Sequence, residues 1–98
     1  MFDIEEAILK KGAIAPRVTN TRLDELIVDE QYHVFGGSML TVCLLTLENG
    51  FNVTGESACV SPENFDAEIG SKIARDNARD KIWMMEGYLL KQRLRETK

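Results

Sequence analysis

Asn49-Gly50 stands between two runs of strand-forming residues, Met39–Glu48 and Phe51–Val60, and no other feature restricts the fold of this chain as strongly. A type I′ turn needs positive φ at both central residues, so an Asn-Gly pair in this setting predicts the tip of a two-residue β-hairpin. The register follows. Glu48 pairs with Phe51, Thr46 with Val53, Leu44 with Gly55, Val42 with Ser57 and Leu40 with Cys59, all on one face. The other face carries Met39, Thr41, Cys43, Leu45 and Leu47 beside Asn52, Thr54, Glu56 and Ala58. Cys43 and Cys59 then point to opposite faces, which speaks against a disulfide between them. Both faces of Met39–Leu47 are largely apolar, the pattern of a central strand covered on both sides, with a second subunit as one candidate cover.

The hairpin runs into a helix entry. Ser61-Pro62-Glu63 offers a capping hydroxyl, a proline at a first helical position and an acid behind it. The segment Ser61–Asp66 reads as a separate turn with Asp66 capping the main helix. No proline interrupts Asp66 to Arg95. Gly70, Ala74, Ala78, Ile82, Met85 and Leu89 form one stripe at helical spacing, and its first three members are small enough for a neighbouring backbone to come close. Ile69, Ile73, Trp83, Tyr88, Leu90 and Leu94 widen the apolar surface. Gly87 costs roughly 1 kcal/mol against Ala inside a helix, which marks a bend, a break or tight packing.

Upstream, Glu30–Phe35 alternates and reads as a strand, stopped by Gly36-Gly37. Thr19, Asn20 and Thr21 offer caps for a short helix with Leu23, Leu26 and Ile27 as its buried stripe. Residues 3–11 form another short helix, with Ile4, Ala7 and Ile8 on one side, ended by Gly12. The expected architecture is a single α+β domain over residues 1–98: an antiparallel sheet of about three strands packed on a long C-terminal helix, with short N-terminal helices.

At 98 residues the chain can bury only a thin, two-layer core, and such domains often supplement it by self-association. The net charge is −4, unevenly spread. Residues 1–60 hold 4 Lys/Arg against 9 Asp/Glu, and residues 71–98 hold 8 against 4. An acidic total argues against coating long nucleic acid, while the basic C-terminal part suits either a solvated helix face or a small anionic ligand. There is no paired CxxC, and two cysteines with one histidine make a poor metal set. The N-terminus lacks a signal-peptide apolar core and no apolar run is long enough to span a bilayer, so the expected compartment is a cytoplasm and no membrane partner is expected.

Catalytic signatures are weak. His33 has no nucleophile at motif spacing, Glu56-Ser57 lacks a nucleophile elbow, and no glycine-rich phosphate loop occurs. Asp76 and Asp80 lie one turn apart, but Arg75, Arg79 and Lys81 surround them, so ion pairing is a better reading than a metal site. No enzyme activity, catalytic residue, metal or cofactor is expected. The unusual feature is the polar run Arg75–Lys81 between two apolar halves of the helix, which reads as solvent-facing, as an inter-subunit network or as a ligand pocket. Arg75 and Arg79 could grip phosphates together. Phe65, Trp83 and Tyr88 offer flat surfaces for a base.

The stretch LTLENGFNVTGESACVSPENFDAEIGSKIARDNARDKIWMMEGYLL, together with the upstream VDEQYHVF, resembles over roughly Ile27–Leu90 a family of small bacteriophage proteins, the gene product 49/gene product 66 family of phages N4 and Sf6. The hairpin, the NFDAEIG helix start and KIW are also similar to phage anti-Thoeris proteins of the first type. That similarity implies an oligomeric, non-catalytic sponge that sequesters cyclic nucleotide immune signals, either cyclic ADP-ribose isomers or cyclic oligonucleotides, in the host bacterial cytoplasm. On this reading Arg75 and Arg79 contact pyrophosphate, Asn77 hydrogen-bonds a base or ribose, and Phe65 stacks. The rival expectation is a phage interaction module that binds or inhibits a host protein through an apolar sheet face.

Overall fold

The computed structural model describes residues 16–97. A short helix α1 (Asn20–Leu26) leads into strands β1 (Ile27–Val34), β2 (Leu40–Leu47) and β3 (Asn52–Ala58), then a 3-10 turn (Pro62–Asn64) and a long helix α2 (Ala67–Glu96). The strands form one antiparallel sheet in the order β1-β2-β3. The architecture is α+β, as expected. The helix expected over residues 3–11 lies outside the described residues.

Local chemistry sets both helix starts. Thr19 Oγ1 accepts from the Arg22 amide at 3.1 Å and caps α1. Asp66 Oδ1 accepts from the amides of Glu68 and Ile69 at 2.9 and 3.1 Å and caps α2. The Ser61 hydroxyl donates to Glu63 within the preceding turn, so this turn is a separate element, as expected. At the far end, Arg93 and Arg95 complement the negative end of the helix dipole.

The hairpin differs from expectation in one residue of register. The Leu47 amide donates to the Phe51 carbonyl at 2.9 Å, and the Gly50 amide donates to the Leu47 carbonyl at 2.8 Å. The loop is therefore Glu48-Asn49-Gly50, three residues rather than two. Only Gly50 in it has positive φ, +89°. Asn49 Oδ1 accepts from the Phe51 amide at 3.0 Å, which holds Asn49 in an Asx-type turn and leaves the left-handed step to Gly50 alone. Leu45 consequently pairs with Val53, Cys43 with Gly55 and Thr41 with Ser57. Every side chain of β3 lies on the face opposite to the one expected, since a one-residue shift exchanges the faces of a strand. Cys43 and Cys59 are both free thiols. They stay apart because they sit about four residues apart along the strands, roughly 13 Å, not because they face opposite ways.

This register brings Gly55 under the helix. A β-carbon at Gly55 would collide with the Ala74 carbonyl oxygen and the Ala78 amide nitrogen, and would lie 2.9 Å from Ala78 Cα. The small residues of α2 thus admit a neighbouring backbone, and that backbone is β3. Around the contact, Leu23 and Leu26 of α1, Cys43, Leu45 and Leu47 of β2, Val53 of β3 and Ile82 of α2 close the core. The buried positions of α2 are Ala74, Ala78, Ile82 and Glu86. Met85 is half-buried against the core, while Leu89 and Tyr88 are exposed, so the apolar stripe is shorter than expected. A four-residue step overshoots the 3.6-residue turn, and the buried line drifts around the axis until it ends on Glu86. Ile69 and Ile73 are also exposed rather than widening the buried surface. Helix α2 runs unbroken through Gly87, where an added β-carbon would meet nothing within 4 Å, so neither a break nor tight packing explains that glycine.

The molecule measures 54 × 32 × 18 Å. Its radius of gyration is 16.4 Å, against about 12–13 Å for a compact chain of this length. A 30-residue helix is about 45 Å long and outruns strands of 7 or 8 residues.

Candidate functional site

Arg75 and Arg79 project from the flank of α2 that faces α1 and β1. Arg75 Nε donates to Glu30 of β1 at 2.8 Å. The Arg79 guanidinium donates to Asp24 of α1 at 3.0 Å, with its side chain only 17% exposed. Its Nε is buried and has no acceptor among the described residues. The hydrogen bond that Arg75 donates to Glu30 raises the Arg75 pKa, against the opposing effect of burial. The expected pairing with the helix's own acids does not form: Asp76 binds Lys72 at 3.4 Å instead, while the arginines reach off the helix to carboxylates of other elements.

Beside Arg75 lies an open depression of about 590 Å³, bounded also by Asp24, Asp29 and Glu30. Tyr32, next along the same face of β1, has its phenol pushed up to about 12, first by burial and then by the nearby Cys43 and Glu30. Burial likewise pushes up the Cys43 thiol. This is an acid-lined wall, and its arginines already have anionic partners.

Asn77 sits on the other flank. Its side-chain amide donates to the Glu56 carbonyl at 2.8 Å and so occupies an acceptor on the outer edge of β3. Phe65 is half-buried in the loop ahead of α2, about 15 Å along the axis from Arg75. The structure therefore brings Arg75 and Arg79 together, but it does not bring Asn77 or Phe65 to them within one chain.

A second concavity is absent from the sequence reading. At the hairpin end, Arg22, Leu26, Leu47, Phe51, Met85 and Leu89 help to line a groove of about 300 Å³. Arg22 donates to the buried Glu86 at 3.2 Å and lies 3.5 Å from Glu48. The hydrogen bond to Glu86 raises the Arg22 pKa, an effect that burial opposes. The available signal was Glu86 itself, an acid set among Ile82, Met85 and Leu89. Among the described residues no group of three His, Cys, Asp or Glu side chains is placed to hold a metal ion. No helix of the described residues is long and apolar enough to cross a membrane.

Residues 18–94 match the model of the Phage protein (N4 Gp49/phage Sf6 gene 66) family. The chain belongs to this family. The matched span begins just before α1 and ends within the last turns of α2, so it takes in the whole sheet and both helix flanks. Searches of curated proteins and of solved structures gave no match. The family establishes a bacteriophage protein and assigns no chemistry to it.

Proposed function

We propose that this phage family member is an accessory protein that binds without turnover: a homo-oligomeric sponge in the host bacterial cytoplasm. Its ligand class is the small cyclic nucleotide immune signals, cyclic ADP-ribose isomers or cyclic oligonucleotides, whose removal would blunt a bacterial defence. The observation that carries the reading is Arg79, whose buried Nε has no acceptor among the described residues, one helical turn from Arg75. A buried donor left unmatched is donor capacity that an incoming anion can use. The carboxylates that hold the two guanidinium groups are themselves well exposed. Ion pairs of that kind contribute about 1 kcal/mol or less, so a pyrophosphate offering bidentate contacts can displace them.

The seam between subunits is part of this proposal. Neither concavity of a single chain is basic: one sets Asp24, Asp29 and Glu30 around Arg75, the other sets Glu48 and Glu86 beside Arg22 and Arg93. Asn77 and Phe65 lie away from the arginines, so one ligand can meet all four residues only where two chains contribute. Isothermal titration with cyclic ADP-ribose isomers and with cyclic di- and trinucleotides tests the reading. Binding should be saturable, weakened at least about tenfold by Arg79→Gln, and the ligand should return chemically intact after heat denaturation. No heat with any of these ligands at micromolar protein removes the sponge, and a ligand returned altered replaces it with an enzyme.

One observation favours a second reading, an interaction module for a host protein. The sheet face turned away from α2 presents Leu40, Val42 and Leu44 half-buried, beside an edge-on pair of His33 and Phe35 with ring centroids 4.5 Å apart. A single stoichiometric host partner that is lost when Leu44 becomes Asp would support it.

A further inference from the structure

The two edges of the sheet are not alike. The Phe35 amide donates to the Leu40 carbonyl, and hydrogen-bonded pairs recur at every second residue of an antiparallel ladder. Asp29, Gln31 and His33 therefore bond to β2, and Glu30, Tyr32 and Val34 turn their amides and carbonyls outward. By the same rule β3 turns Asn52, Thr54, Glu56 and Ala58 outward. That second edge is closed at its middle, because the Asn77 side chain takes the Glu56 carbonyl at 2.8 Å. Nothing comparable guards β1. It pairs with no strand but β2 among the described residues, and every residue from Val28 to Val34 is exposed. Its bulge lies at its first end, so Asp29 to Val34 run regular, without a lysine or a proline. An edge of this kind is a template for a further strand.

The side chains of β1 select the strand that fits. Asp29, Gln31 and His33 share the sheet face away from α2, where Gln31 donates to Asp29 at 3.2 Å and His33 packs edge-on against Phe35. Set antiparallel to a copy of itself, with a two-fold axis at Gln31, β1 places each Asp29 directly across from the partner's His33. A ring N–H of that imidazole can donate to the carboxylate. These are non-hydrogen-bonded positions, where side chains across a ladder come closest. The two Gln31 amides meet on the axis, and Glu30 lies across from the partner's Tyr32. The two Glu30 side chains are diagonal neighbours, roughly 7–8 Å apart, and each is already held by Arg75 of its own chain at 2.8 Å. Other two-fold registers fit worse. An axis at Asp29 or Glu30 sets like charges face to face. An axis at Tyr32 sets Glu30 against Val34 and Asp29 against Phe35. An axis at His33 carries both acids past the end of the partner strand. We propose that β1 pairs antiparallel with β1 of a second copy about a two-fold axis at Gln31. The same edge is used twice, and two three-stranded sheets become one, with both α2 helices on the same side. The pairing goes beyond the proposed function and needs no nucleotide.

Sedimentation of the full chain over a concentration series tests the pairing. The wild-type protein should pass from monomer to dimer as its concentration rises through the micromolar range. Asp29→Lys and His33→Asp should each weaken the dimer at least about fivefold, since each sets like charges across the seam twice. The double variant D29K/H33D should restore it. All three should leave the thermal melt of the dilute protein nearly unchanged, because both positions are exposed. In a Cys59→Ser background, Q31C should oxidise to a covalent dimer, since it meets its own copy on the axis. T54C, on the same face but on β3, should not. A wild-type chain that stays monomeric up to submillimolar concentration overturns the proposal and leaves the β1 edge to a strand of another protein. So does a dimer that is indifferent to D29K and H33D, or one in which Q31C links no faster than T54C. Nucleotide titrations on the same samples keep the two ideas apart: dimers that obey these variants but bind nothing leave the strand pairing and remove the sponge, and binding by a strict monomer does the reverse.

Discussion

Thr41, Cys43, Leu45 and Leu47 are buried along β2, whereas Leu40, Val42, Leu44 and Thr46, each one residue away on the same strand, stay half-exposed. The two sets differ little in composition. What separates them is the helix. On the covered side α2 approaches at backbone distance through Ala74, Ala78 and Gly55. On the other side neither described helix packs. Hydrophobicity therefore does not decide which face of a central strand becomes core. The decision falls to the residues that let another element come near, and in this chain those are the smallest ones.

The sharpest way to break that comparison is at Gly55. Gly55→Val forces β3 and α2 apart along their whole contact, because the obstruction is helix backbone and not a movable side chain. The expected cost exceeds about 4 kcal/mol, beyond ordinary overpacking, and urea denaturation should find the variant largely unfolded without denaturant. A variant that folds normally would mean that the helix does not sit on β3 as described.

The two faces themselves can be set against each other. Leu45→Ala removes a fully buried side chain and should cost about 3 kcal/mol. Leu44→Ala, on the half-exposed face, should cost less than about 1.5 kcal/mol in dilute monomer. Equal costs, read from urea midpoints at constant m-value, would show that the second face is covered after all. Comparing the same pair at high protein concentration sharpens the point, since any partner seated on the uncovered face makes Leu44 the more expensive loss.

The turn chooses between the faces of β3. Gly50 is left-handed at φ +89°, so Gly50→Ala should cost about 1–2 kcal/mol and lower the thermal midpoint. The two-residue loop read from Asn49-Gly50 fails at this point. The dipeptide marks a turn correctly, but the Asn49 side chain takes the Phe51 amide and lengthens the loop by one residue. That hydrogen bond is not written in the pattern of residue types, and the facing of β3 rests on it. The elements were legible for a different reason. Thr19 and Asp66 are capping residues whose side chains close their own helix ends, a local interaction that spacing reveals. The small stripe Gly70, Ala74 and Ala78 was legible as an invitation to close approach, although its occupant, Gly55, was not. The candidate site was less legible still. Arg75 and Arg79 are one turn apart by arithmetic, but their partners Glu30 and Asp24 come from elements more than forty residues away, and helical spacing carries no information about those. Asn77, two positions from Arg75, faces away for the same geometric reason that made the arginines neighbours.

The smallest effect comes from Gly87, the exposed glycine of α2. Gly55 has no room for a methyl group, whereas a β-carbon at Gly87 would meet nothing within 4 Å. Gly87→Ala should therefore stabilise the dilute protein by about 0.8 kcal/mol, the helix-propensity difference alone. The covered glycine should lose stability on gaining a side chain, and the open one should gain it. Urea midpoints at constant m-value should give the two opposite signs directly. A Gly87→Ala variant no more stable than the wild type would mean that this face of the helix is covered, since a methyl group in open space has only the backbone preference to act through.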